Sequence, residues 1–197
     1  MLLLAGLLLL NFGISWFNAY SVGRSWSDSK AIGGFPRFIT WCGAIMSASG
    51  FTWVYVTVLA IAAGAFHWLP PKYVTATMEL GYVVIILPIL GSGLAITIDS
   101  WTTAYRERTI ASGGVAAWNT FAQVYNTYEA VSALPGILDD LKNTFSSADD
   151  DDDSSGSAVF LVILLVIMAL VGGILTTTMI IRSTAAKYTL RQPRPVR

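Results

Sequence analysis

The chain has 197 residues, of which 54% are apolar and only 12% charged, with a mean hydropathy of +0.61. A soluble domain of this length carries about a quarter charged residues, so the composition excludes an ordinary soluble fold and points to an all-α, polytopic integral membrane protein. Basic and acidic residues balance at 12 each, so net charge says nothing about partners, and one cysteine excludes both an internal disulfide and a cysteine-built metal cage.

The first apolar stretch runs from Leu2 to about Val22. It lacks a basic flank and a small-residue cleavage site, and reads as a retained membrane helix rather than a signal peptide. Asn11, Ser15 and Asn18 fall at i, i+4 and i+7, and Ser21 continues the stripe. An amide facing lipid goes unsatisfied at a cost of several kcal/mol, so this stripe is expected to face protein or water.

The second span, residues 38–69, is over-long, and Pro70-Pro71 should end it because proline cannot continue a helix. Gly43 with Ser47, Ala44 with Ala48, and Ala60 with Gly64 form small-xxx-small pairs that let helix backbones approach closely. Cys42 reads as one more small packing residue. The third span, 78–101, contains "LPILGSG": Pro88 removes a backbone donor, and Gly91 and Gly93 weaken the turn that follows. A kink or hinge is expected there, and a substrate pathway is the alternative reading.

Residues 115–138 form an amphipathic pattern. Asn119, Gln123 and Asn126 share one face, while Trp118, Phe121, Tyr125 and Tyr128 share another, and Pro135-Gly136 is expected to close the helix. This segment either lies on the membrane surface or forms a fifth span. Four spans divide the basic residues evenly between the two sides; five leave only Lys72 and Lys142 outside, which the positive-inside rule favours. The five-span reading puts the N-terminus outside and the C-terminus in the cytoplasm, and the two amide stripes are expected to meet.

Residues 149–157 read as an acidic, flexible linker. "DDDSSG" imitates the opening of a calcium-binding loop, but the position that needs a bidentate glutamate is Val162, so a solvated spacer is expected. The last span covers 158–182 and is followed by a basic tail, 183–197, suited to anionic lipid headgroups.

No zinc-protease, nucleophile-elbow or phosphate-loop motif is present, and one histidine cannot supply paired haem ligation. The chain is expected to be non-catalytic and to carry no cofactor or metal. Its expected role is as a subunit of a larger membrane assembly of the secretion, conjugation or energy-converting type, in a bacterial inner membrane. The expected contact residues are Asn11, Ser15, Asn18, Gly43, Ser47, Trp118, Tyr125 and Asn126. The expected partners are other membrane subunits or further copies of the chain, and not nucleic acid. The alternative is a small channel or transporter with its pathway at Pro88, Gly91 and Gly93.

Overall fold

The computed structural model describes residues 2–146 and 154–189, which form five α-helices with no strand among them. These are α1 (Leu2–Ile32), α2 (Gly34–Ala65), α3 (Pro71–Glu107), α4 (Ile110–Ser146) and α5 (Ser154–Thr189). Among them α1, α2, α3 and α5 are long and apolar enough to cross a membrane, so the chain is a multi-pass membrane protein.

The connections are tight, and each uses a local device. Gly33 and Gly34 both take positive φ, 70° and 56°, which reverses the chain between α1 and α2 at little steric cost. His67, at φ 57°, turns the chain after α2, and Pro71 opens α3 at a position where its missing N–H is not needed. Arg108 takes the left-handed conformation that ends α3, its N–H donating to the Ala104 carbonyl at 2.9 Å.

Three features differ from the sequence expectation. Most helices outrun their apolar stretches, since flanking residues stay helical beyond the hydrocarbon; α2 instead ends at Ala65, before the prolines. Pro135 does not close α4, which continues to Ser146. Its final turns are held by tertiary packing: Leu141 is buried, and Phe145 packs against a cluster formed by Ala63, Leu69, Tyr73 and Ala158. Residues 154–157 of the expected linker and 183–189 of the expected tail belong to α5. Asp149 to Asp153 and the tail from residue 190 lie outside the described residues.

Successive helices run in opposite directions. Along α1 and α2, Val22 meets Gly43, Ser15 meets Ser47, and Asn11 lies beside Gly50. Along α2 and α3, Trp53 packs on Tyr82, and Gly64 faces Val74. Along α3 and α4, Thr97 reaches Asn119 and Leu90 reaches Gln123. α5 runs against α2, with Gly173 beside Ala48 and Val162 in the cluster with Ala63. Hence α1, α3 and α5 point one way and α2 and α4 the other.

α2 is the hub, packing on α1, α3 and α5, whereas α4 packs extensively on α3 alone. Burial follows this order: 50% of the apolar stretch of α2 is buried, against 11% of that of α1. Close approach depends on small residues. A Cβ added to Gly173 would lie 2.7 Å from the Ala48 carbonyl oxygen and 2.9 Å from the Thr52 nitrogen, so backbone would have to move. Gly173→Ala should therefore cost about 1–3 kcal/mol, the usual penalty for overpacking. Gly6→Ala, where a Cβ meets open space, should stay within about 0.5 kcal/mol of wild type; unfolding in mixed micelles measures both.

Candidate functional site

Polar side chains along the spans collect at two seams. The first joins α1, α2 and α5. Ser47 is fully buried and donates to the Ser15 carbonyl at 2.7 Å, while its oxygen lies 3.3 Å from the Thr177 hydroxyl. With the Ser47 proton committed to Ser15, Thr177 is the donor in the second contact. Ser15 in turn donates to Asn11 Oδ1 at 3.3 Å. Gly50 faces both Ser15 and Asn11, and Gly43 lies against Val22, so the small residues of α2 admit the polar face of α1. On the α5 side the Tyr55 and Thr176 hydroxyls pair at 2.9 Å.

The second seam joins α3 and α4. Thr97 donates to carbonyls on both helices, at 2.8 Å to Gly93 and 3.3 Å to Asn119. Trp101 Nε1 donates to the Thr120 hydroxyl at 2.8 Å, and Gln123 Nε2 donates to the Leu90 carbonyl at 3.1 Å. Gln123 Oε1 is buried without a hydrogen-bond partner. It lies against Gly93, where a Cβ would overlap it. The Gly93 Cα–H occupying that direction is the weak donor left for it.

The expected contact residues therefore divide. Asn11, Ser15, Gly43 and Ser47 come together inside the chain. Asn18 and Asn126 are half-buried and make no side-chain hydrogen bond among the described residues. Trp118 and Tyr125 are exposed on the outer face of α4, where Tyr125 donates to Glu129 at 2.9 Å. The stripes of α1 and α4 do not face each other as expected, because α1 is taken up by α2 and α5 and α4 by α3. Pro88 and Gly91 sit on the exposed side of α3, and Pro88 does not break the helix. Of the three expected hinge residues, Gly93 reaches a seam, beside Gln123.

Two groupings escaped the sequence reading. At one end of the bundle the Arg37 guanidinium lies 3.8 Å from the centre of the Trp26 ring and 5.4 Å from that of Trp41, and donates to the Trp26 carbonyl at 3.3 Å. Arg24 stands 5.2 Å over the Tyr188 ring, whose hydroxyl pairs with that of Tyr20 at 2.7 Å. The signal was present, since aromatic and basic residues flank the same turn, but their partners lie far apart in the chain. At the opposite end a surface depression of about 560 Å³ is lined by Gly64, His67, Leu69, Pro70 and Val74. Among the described residues no group of three or more His, Cys, Asp or Glu side chains could hold a metal.

Nearby, Tyr73 is 2% exposed and its hydroxyl has no partner among the described residues. Tyr73→Phe keeps the packing and removes an orphaned donor, so stability should hold or rise by up to about 1 kcal/mol. At the second seam, Gly93→Ala should destabilise alone and do so less when Gln123→Ala vacates the contact. A double-mutant cycle should return a coupling of about 0.5 kcal/mol or more, and additivity would show that the contact carries no energy.

No family model matches the chain, and neither does any curated protein or solved structure.

Proposed function

We propose that this chain is a non-catalytic subunit of a larger membrane assembly of the secretion, conjugation or energy-converting type. The observation that carries the reading is the set of amides left over. Asn11, Ser15 and Gln123 find bonds within the chain, yet the side chains of Asn18, Asn119 and Asn126 find none among the described residues, although all three lie in uncharged helical stretches. An unpaired amide in hydrocarbon is costly, and a helix from another subunit is the natural source of the missing bond. Asn18 and Asn126 are half-buried on the flanks of α1 and α4, where another helix can reach them, since neither helix is enclosed by its own chain. The membrane in this reading is the bacterial inner membrane, with the N-terminus outside. The end carrying Arg24, Arg37, Arg106 and Arg182 then faces the cytoplasm and its anionic lipid headgroups.

After extraction in mild detergent, the wild-type chain should migrate on a native gel in a complex far larger than its own 21.2 kDa. Asn18→Leu and Asn126→Leu should release it from that complex without lowering its own melting temperature. A wild-type chain running alone or as a small homo-oligomer would overturn the subunit reading.

A further inference from the structure

We propose that α4 crosses the membrane as a fifth span, its Gln123 amide turned to α3 and its aromatic face to lipid acyl chains. Composition alone does not place it among the crossing helices; its packing does. The first argument is one of direction. α3 and α5 both run against α2, so they are parallel to each other. Two parallel spans joined in sequence require the chain to return across the membrane between them. α4 makes that return: it begins beside the end of α3 at Glu107 and finishes with Phe145 in the cluster that holds Tyr73, near the start of α3, and Ala158, near the start of α5.

The second argument is the inverted polarity of α4. Its outer face carries Trp118, Phe121, Val124, Tyr128 and Val131, each between 62% and 71% exposed. Its inner face sends Gln123 and the Asn119 carbonyl into hydrogen bonds with α3. A helix resting against a bundle in water buries its apolar stripe and exposes its amides. The reverse arrangement is stable only where the surrounding solvent is apolar and backbone or side-chain partners lie inward. The ring contacts on the outer face, Trp118 to Phe121 at 6.0 Å and Phe121 to Tyr125 at 6.4 Å, make it continuous.

Length and charge agree with this. From Thr109 to Tyr128 the sequence carries no charge, about 20 residues or 30 Å of helix, which matches the hydrocarbon core. Arg108 stands at one end of that stretch and Glu129 at the other. The ends of the bundle then differ in sign: Arg24, Lys30, Arg37, Arg106, Arg108, Arg182 and Lys187 share one end. Lys72 and Lys142 lie at the other, outnumbered by Glu79, Glu129, Asp139 and Asp140. The crossing rests on the packing of this chain and holds whether or not it has partner subunits, which would meet α4 at its half-buried Asn126 flank and leave the aromatic face to lipid.

The test uses the full chain with Cys42→Ser as background. Glu107→Cys and Ser146→Cys, both at exposed positions, are treated with a membrane-impermeant maleimide before and after permeabilisation. They should react from opposite sides of the membrane; reaction of both from the same side would overturn the crossing. For the lipid face, a nitroxide at Phe121→Cys in phosphatidylcholine–phosphatidylglycerol vesicles should collide with oxygen far more than with a water-soluble nickel chelate. It should match a nitroxide at Phe160→Cys on the exposed side of α5. Preference for the nickel chelate, or weak collision with both reagents, would overturn the assignment of lipid to that face.

Discussion

Lipid offers no hydrogen bonds, and the arrangement of this protein follows from that. Every amide and hydroxyl placed along a spanning helix must find its partner within protein, because the alternative costs several kcal/mol. Many of the threonines answer locally: Thr40, Thr57 and Thr77 return their protons to carbonyls one turn back, at 2.7–2.9 Å. Groups with further bonding capacity cannot, and they define the seams. Ser47 ties α1 to α2 and, through Thr177, to α5; Gln123 and Thr97 tie α4 to α3.

Apolar burial contributes little to holding spanning helices together, since a leucine gains nothing by leaving lipid for another leucine. Close contact and hydrogen bonding take its place. The small residues of α2 and α5 serve this directly. Gly50 admits the polar face of α1, and Gly173 lets α5 press against the backbone of α2. Larger side chains at these points would separate the helices and strand the hydroxyls between them, so packing and polar satisfaction depend on each other.

The periphery is organised differently. α1 and α4 each have one side committed to the bundle and the other covered with leucine, phenylalanine, tryptophan or tyrosine. At the basic end, Arg37 lies over the Trp26 ring and beside Trp41, so the charge is set among aromatic groups. The outermost helices also carry the amides that find no bond among the described residues, Asn18 on α1 and Asn119 and Asn126 on α4.

The amino-acid sequence by itself determined that this is a helical membrane protein, because 20-residue apolar runs bounded by charge, glycine or proline have few other stable forms in lipid. It also marked which faces were polar: of the stripes read from spacing, Asn11 and Ser15, the Gly43–Ser47 pair, and Asn119 and Gln123 lie at seams, whereas Asn18 and Asn126, which continue them, make no side-chain hydrogen bond among the described residues. Which face meets which helix was decided only by tertiary structure. The period of a helix records direction around its own axis and nothing about its neighbour, so the two amide stripes looked like partners until α2 and α3 were seen to take one each. The continuation of α4 through Pro135 was hidden for the same reason, since what holds its last turns is Phe145 packing on residues drawn from α2, α3 and α5. Local sequence states the cost of a proline, but only the fold supplies the contacts that offset it.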